Sequence, residues 1–309
     1  MVNISVLMSV YKNDDPKEVE SAIQSILNQS QPPKQVVIVL DGPIPDALLS
    51  VVKKFEKDNR FDVVPLEKNV GLGKALSIGI QHCRYEYVAR MDSDDYSVTD
   101  RFEKQARYLE EHQNVDVLGG QIEEYDHEMQ KTIAIRNVPL TMDEIKKRCK
   151  KRNPVNHVTV VYKKDSVLRA GNYQTCMYFE DYYLWCRMLQ KGFIFNNLPD
   201  VLVHVRTGDT MYQRRGGKKY NDAIIDFQNK IYKLGLINRI EWLENLAIRI
   251  GVANMPNSMR GYIYQHQLRK NDKSKENGGG VTQSDPDREI YIVNFSAPAL
   301  YGCKQWRVA

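Results

Sequence analysis

The sequence predicts an α/β fold: a mostly parallel sheet with helices on both faces, followed by a helical C-terminal extension. Three observations carry this. Short apolar runs alternate with amphipathic stretches through the N-terminal part, a pattern that argues a parallel sheet wound on both sides. Pro16 and Pro45 stand at the starts of two amphipathic stretches, in first-turn positions where a missing N–H costs nothing. Polar residues collect at the carboxyl ends of the apolar runs, the edge where such sheets bind ligands.

The strand candidates are residues 4–10, 35–40, 61–66, 85–91 and 115–119, and the intervening helices 16–28, 45–58, 71–83 and 99–112. The middle of the chain is mixed. A hairpin is expected over 121–137, a basic helix over 142–151, a strand over 158–162, an amphipathic helix over 180–191 and a further strand over 201–205. From Lys219 to Lys270 the pattern is helical, interrupted near 236–238 and at Pro256. The domain reading is 1–218 for the α/β domain, 219–275 for the helical extension, and 276–309 for a linker-like segment and tail. Gly278–Gly280 after a charged run resembles a linker, and activity is expected to survive removal of residues 278–309.

Composition narrows the functional classes. The 309 residues are 42% hydrophobic and 27% charged, an ordinary globular balance. The net charge of +5 permits anionic ligands or an anionic membrane surface without demanding nucleic acid. Zinc-finger spacing and RNA-binding aromatic signatures are absent, so no nucleic acid is expected as partner. The cysteines, Cys83, Cys149, Cys176, Cys186 and Cys303, form no CxxC pair and read as reduced cytoplasmic thiols. The apolar N-terminal run reads as a first strand rather than a signal peptide, and no run approaches the roughly 20 residues of a membrane span. A cytoplasmic location is expected.

The central chemical signal is Arg90-Met91-Asp92-Ser93-Asp94-Asp95, directly after a strand candidate. Its three carboxylates repel one another, and a hard divalent cation, Mg²⁺ or Mn²⁺, offsets that repulsion while bridging to diphosphate oxygens. An acidic turn leading into the next helix is the plainer alternative. Tyr11 and Asp41 end the first two strands, where a ring can stack on a base and a carboxylate can accept its imide N–H; a simple Asp-Gly turn is the competing reading. Asn69, Gly71 and Lys74 lie in NVGLGKAL, which opens a helix. The segment is neither a dinucleotide fingerprint nor a Walker loop, but its backbone N–H groups and Lys74 suit an anion. Glu180 and Asp181 start an amphipathic helix, where a carboxylate serves as general base or merely complements the helix dipole. Arg214 and Arg215, beside two glycines, suit a mobile diphosphate clamp. His157 and His204 read as packed residues.

In order along the chain, SVLMSVYKND, VVIVLDGP, NVGLGKAL, ARMDSDDYSVTDRFEKQ, NPVNHVTVVYKK, FEDYYLWCRMLQKGF and NLPDVLVHVRTGDTMYQRRGGKKY resemble the family 2 glycosyltransferases of the GT-A fold. Bacterial exopolysaccharide and O-antigen enzymes of the amylovoran-biosynthesis type are the members it looks most like. The resemblance covers about residues 2 to 270. It implies an inverting transfer from a nucleotide diphosphate sugar, commonly a UDP-sugar, to an acceptor hydroxyl on a saccharide or lipid-linked saccharide. Within it, Tyr11, Asp41, Asn69, Gly71, Lys74, Arg90, Asp92, Ser93, Asp94, Arg214 and Arg215 correspond to the nucleotide-sugar site. Glu180 and Asp181 stand on the acceptor side, with Asp181 as base. Asp94 is the favoured metal ligand, with Asp92 and Asp95 as alternatives.

A sugar nucleotidyltransferase would share the sheet and the metal, but it needs a basic glycine-rich loop after the first strand, where this chain has Tyr11-Lys12-Asn13-Asp14. A non-catalytic nucleotide-sugar-binding module would have no use for both the acidic turn and Glu180-Asp181. Finally, residues 237–270 interleave apolar side chains with Arg239, Arg249, Arg260 and Arg269. That pattern suits a helix lying on the inner face of an anionic bacterial membrane, or one that packs on the α/β domain.

Overall fold

The structure is a computed structural model that describes residues 2–207 and 217–255. Its strands are β1 (Ile4–Val10), β2 (Gln35–Leu40), β3 (Phe61–Pro65), β4 (Tyr87–Arg90), β5 (Tyr96–Ser97), β6 (Val117–Tyr125), β7 (Thr132–Arg136), β8 (Val161–Lys163) and β9 (Phe195–Arg206). The helices are α1 (Pro16–Leu27), α2 (Asp46–Phe55), α3 (Leu72–His82), α4 (Arg101–Glu111), α5 (Met142–Cys149), α6 (Lys164–Arg169), α7 (Glu180–Gln190), α8 (Lys218–Lys233) and α9 (Arg239–Ala253).

One sheet runs β3-β2-β1-β4-β8-β6-β9-β5, with β7 also paired to β6. The four strands β3, β2, β1 and β4 are parallel. Beyond β4 the sheet is mixed: β8 is antiparallel to β4 and β6, β9 is parallel to β6, and β5 is antiparallel to β9. The expected hairpin is present as β6–β7.

β1 and β2 are buried along their whole length, and their side chains alternate between two cores. Val6, Met8 and Val10 join Val19, Ile23 and Ile26 of α1 and Phe102 of α4 on one face. Leu7, Val37 and Val39 join Ala75, Leu76 and Ile80 of α3, with Trp185 of α7 and Phe227 of α8, on the other. Asp15 caps α1, accepting from Lys17 N at 2.8 Å, and Pro16 fills its first position. Pro45 stands one residue earlier than expected, as the cap of α2.

The expected strand at 158–162 is a turn of 3₁₀ helix, His157–Thr159, followed by the short β8. The Thr159 hydroxyl ties this turn down: it donates to Asn156 O at 2.8 Å and accepts from Gly120 N at 3.0 Å. α6 and β5 had no periodic signal, being too short to show one.

Helices α8 and α9 pack back on the α/β core. Ile237 and Val252 are buried, Trp242, Leu246 and Ile250 pack against the core, and Trp242 Nε1 donates to Asn229 Oδ1 at 3.1 Å. Arg249, expected among the membrane-facing bases, is instead buried, its guanidinium 5.7–5.9 Å from the ring centres of Phe179, Tyr182 and Phe227. Among the described residues no helix is long and apolar enough to cross a membrane.

Candidate active site

β1 pairs in parallel with both β2 and β4, so the three strands deliver Tyr11, Asp41 and the Arg90–Asp95 segment to one edge of the sheet. Asp41 is buried, and its carboxylate accepts from Val70 N at 2.7 Å and Gly71 N at 3.1 Å. Burial pushes its pKa up, and the two backbone donors oppose that. Asn69 Nδ2 donates to Asp41 O at 3.2 Å. Gly42 has φ +86°, and a Cβ there would meet Asn69 N at 2.5 Å, so the 69–71 loop lies directly on the end of β2. Asp41, Asn69 and Gly71 are therefore one hydrogen-bonded unit, with Lys74 exposed on the first turn of α3. Tyr11 is only 2% exposed, so stacking on a base requires its ring to be uncovered from this arrangement.

The acidic turn is tied down residue by residue. Asp92 forms a buried ion pair with Arg90. Ser93 Oγ donates to Asp14 Oδ2 at 2.9 Å, and Tyr11 N donates to the same oxygen at 3.1 Å. Asp95 Oδ1 accepts from Arg206 N at 3.0 Å, and Asp94 O accepts from Arg206 Nε at 3.2 Å. Beneath the turn, the fully buried Arg101 donates to Arg90 O at 2.9 Å, and burial drives its pKa down to about 9. Burial, opposed by Arg90 and reinforced by Asp94, pushes Asp92 up to about 7; burial together with Asp94 and Asp92 pushes Asp95 well up. The repulsion within the turn, taken from sequence as calling for a metal, is thus offset in part by the chain's own arginine and by proton uptake.

Among the described residues, no three His, Cys, Asp or Glu side chains converge on a point that would hold a metal. Asp94 is the one carboxylate of the turn that is not buried. One such carboxylate fits Mg²⁺ or Mn²⁺ where diphosphate oxygens and water complete the shell, as is common for Mg²⁺.

Glu180 and Asp181, at the start of α7, are both buried. Asp181 Oδ2 accepts from Asn153 Nδ2 at 2.6 Å. Burial drives Asp181 up to about 6, against the Tyr182 N–H and Asn153, and drives Glu180 up to about 8. The Asp181 charge also raises Asp92, so the two carboxylates lie within electrostatic reach of one another. A Cβ on Gly73 would meet Glu180 Cγ at 2.7 Å, so the second glycine of NVGLG is where α3 meets α7.

Arg214 and Arg215 lie outside the described residues. His157 bonds to Tyr173 OH at 2.9 Å, and His204 sits beside Glu123 and stacks on Tyr96: both are packed residues. Sequence reasoning gave no role to Asp14, Arg101, Asn153 or Arg206. Asn153 did carry a signal, as the first residue of NPVNHVT, but its partner lies 28 residues away.

Comparison with known proteins identifies the chain as a glycosyltransferase. The chain belongs to glycosyl transferase family 2, whose model matches residues 5–169. It is 39% identical over 265 residues to the amylovoran biosynthesis glycosyltransferase AmsE of Erwinia amylovora, covering 84% of this chain and 97% of that one. It is 35% identical over 266 residues to the UDP-Gal:alpha-D-GlcNAc-diphosphoundecaprenol beta-1,3-galactosyltransferase of Escherichia coli, covering 86% and 96%. The fold is shared with many solved structures, two of which follow. S. aureus TarS 1-349 in complex with UDP-GlcNAc has a TM-score of 0.59 at 18% identity, covering 87% of this chain and 78% of that fragment. The mannosyltransferase PcManGT of Pyrobaculum calidifontis, bound to GDP-Man and Mn²⁺, has a TM-score of 0.58 at 13% identity, covering 90% and 76%.

Proposed function

We propose that this enzyme catalyses inverting transfer of a sugar from a UDP-sugar to a hydroxyl of a lipid-linked saccharide in the synthesis of a bacterial surface polysaccharide. The observation that carries the reading is the buried Asp181 carboxylate, held by Asn153 and within electrostatic reach of Asp92 in the acidic turn. A base on one side of the anomeric carbon and a leaving-group site on the other suit a single in-line displacement.

In this reading Asp181 accepts the proton of the acceptor hydroxyl as the acceptor oxygen bonds to C1. The bond between C1 and the diphosphate oxygen breaks, and UDP leaves with that electron pair. Burial, by raising Asp181 to about 6, brings the base towards neutral pH, where proton abstraction is efficient. The Asp41–Asn69–Gly71 unit holds the base and ribose end, Arg90 and Ser93 keep the acidic turn in place, and Lys74 adds positive charge at the start of α3. Asp94 would hold a divalent ion, with Asp92 or Asp95 as a second ligand. A bound Mg²⁺ or Mn²⁺ supplies neutralisation of the departing diphosphate. Arg214 and Arg215 are assigned to the same diphosphate, and residues 1–218 to the catalytic unit.

UDP-galactose is the first donor to test, because the E. coli relative's name specifies UDP-Gal. Contact with the inner membrane face is part of the reading. Ile240 and Leu243 of α9 are 69% and 54% exposed, an apolar edge suited to a lipid surface that presents the acceptor. The experiment is a panel of UDP- and GDP-sugars with Mn²⁺ or Mg²⁺, followed by nuclear magnetic resonance of the product anomer. Inversion with a UDP-sugar supports the reading; retention, or turnover of GDP-sugars alone, overturns it. Vesicle sedimentation tests the membrane contact, which is rejected if neutral and anionic vesicles leave equal protein in the supernatant at low salt.

A further inference from the structure

The acidic turn spans the gap between β4 and β5, residues 91–95, and it is tied on both sides. Towards β4, the Arg90–Asp92 ion pair and the bond from Ser93 Oγ to Asp14 Oδ2 hold it. Towards β5, Arg206 holds it. This last residue of β9 donates from its backbone N to Asp95 Oδ1 at 3.0 Å and from its guanidinium Nε to Asp94 O at 3.2 Å. Asp94, the candidate metal ligand, therefore lies between tied neighbours, Ser93 and Asp95, and its own carbonyl is held as well.

Arg206 is itself fixed by its surroundings. The end of β9 pairs with β6, where Tyr125 is opposite Arg206, and with β5, where Tyr96 is opposite His204. The Tyr96 and His204 rings stack with centres 6.2 Å apart. Arg206 Nε lies 3.3 Å from Glu18 Oε1, in the first turn of α1, and the two side chains are only 17% and 9% exposed. Arg206 Nη1 donates to His127 O, in the turn between β6 and β7. One guanidinium thus joins the acidic turn, α1 and the β6–β7 turn. A planar fork with donors in fixed directions reaches acceptors on all of these, whereas a lysine ammonium on a flexible stem does not hold that geometry.

The charge of Arg206 by itself works against a cation at Asp94, because like charges repel. Glu18 offsets that charge, so what remains of the side chain at the turn is its geometry. Carboxylates that ligate metals depend on outer hydrogen-bond partners for their direction, and loss of such a partner costs about 10–100-fold in metal affinity or activity. We propose that Arg206 is a positioning residue for the metal site of the acidic turn, and that its side chain acts through the Asp94 carbonyl and not by its charge. Glu18 is its counter-ion and keeps the guanidinium turned towards that carbonyl. This deepens the proposed function and rests on its assignment of Asp94 to the metal.

The test measures UDP binding to the full chain by calorimetry, with Mn²⁺ and without metal. Arg206→Met removes both the fork and the charge, and Arg206→Lys keeps the charge. With Mn²⁺, Arg206→Met is expected to bind UDP about tenfold more weakly than wild type, while metal-free binding stays within about twofold. Arg206→Lys should recover only part of that loss. Raising Mn²⁺ should restore affinity in both variants, as it does for a weakened metal site and does not for a misfolded protein. If Arg206→Met does not fold, Glu18→Gln carries the same test, because it releases the guanidinium and leaves Arg206 in place. It should weaken UDP binding with Mn²⁺ at least about threefold and leave metal-free binding unchanged. A role through charge alone predicts the opposite sign, since removing a cation near Asp94 would tighten metal binding. Unchanged or tighter UDP binding with Mn²⁺ in Arg206→Met therefore overturns the proposal. So does full recovery in Arg206→Lys, a parallel loss of metal-free binding, or a loss that does not respond to Mn²⁺. Wild-type UDP binding that is equally tight with and without Mn²⁺ sinks the assignment of Asp94 to a metal, and this proposal with it. That failure is distinct from metal-dependent wild-type binding that ignores Arg206.

Discussion

Asn153 Nδ2 donates to Asp181 Oδ2 at 2.6 Å, a bond between the loop after α5 and the first turn of α7. It presents the candidate base in one orientation and favours its ionised form against the burial that raises its pKa.

Replacing Asp181 with Asn should lower transfer by about 10²–10⁴-fold, the range a general base supplies, while UDP affinity stays within about twofold. Steady-state transfer and UDP calorimetry on the same preparation check this; activity within about tenfold of wild type would refute the assignment.

Asn153→Ala removes the donor and should push the Asp181 pKa above about 6. The base works deprotonated, so activity rises with pH through that pKa, and the variant's acidic limb should move to higher pH. A lower plateau with the limb in place would mean that Asn153 acts on packing alone.

Asp94→Ala should weaken UDP binding in Mn²⁺ or Mg²⁺ and leave metal-free binding little changed, and chelation of the wild type should abolish transfer. Equally tight UDP binding with and without metal would exclude Asp94 as the ligand.

Glu180, Asp92 and Asp181 are raised to about 8, 7 and 6, so the folded protein holds protons there that the unfolded chain has lost. Stability from these groups therefore rises as pH falls from about 9 to about 4, where the unfolded carboxyls take up protons too. Glu180→Gln should flatten that rise in denaturant titrations at several pH values. An unchanged slope would show that Glu180 carries little of it.

Gly73→Ala should cut activity without unfolding the protein, because its Cβ would meet Glu180 Cγ at 2.7 Å and push on the start of α7. Wild-type kinetics in this variant would show that the Glu180 side chain swings aside freely.

The sequence by itself determined the parallel β1–β4 half, the α helices between those strands, and the positions of the acidic turn and Glu180-Asp181. Each is a local signal: an apolar run, an amphipathic period, or carboxylates at the end of one element. Only the tertiary structure decided how the charges are arranged. Arg90 follows from the motif, but its pairing with Asp92, the buried Arg101 beneath, and the Arg206 contacts with Asp94 and Asp95 depend on strands distant in sequence. The same holds for Arg249, which carried a basic residue's exposed expectation and turned inward over three aromatic rings. Periodicity tells which face of an element is apolar, because that depends on neighbours one turn away. It does not tell which charges meet across the fold, because Coulomb and desolvation energies depend on distances and burial that chain packing alone sets.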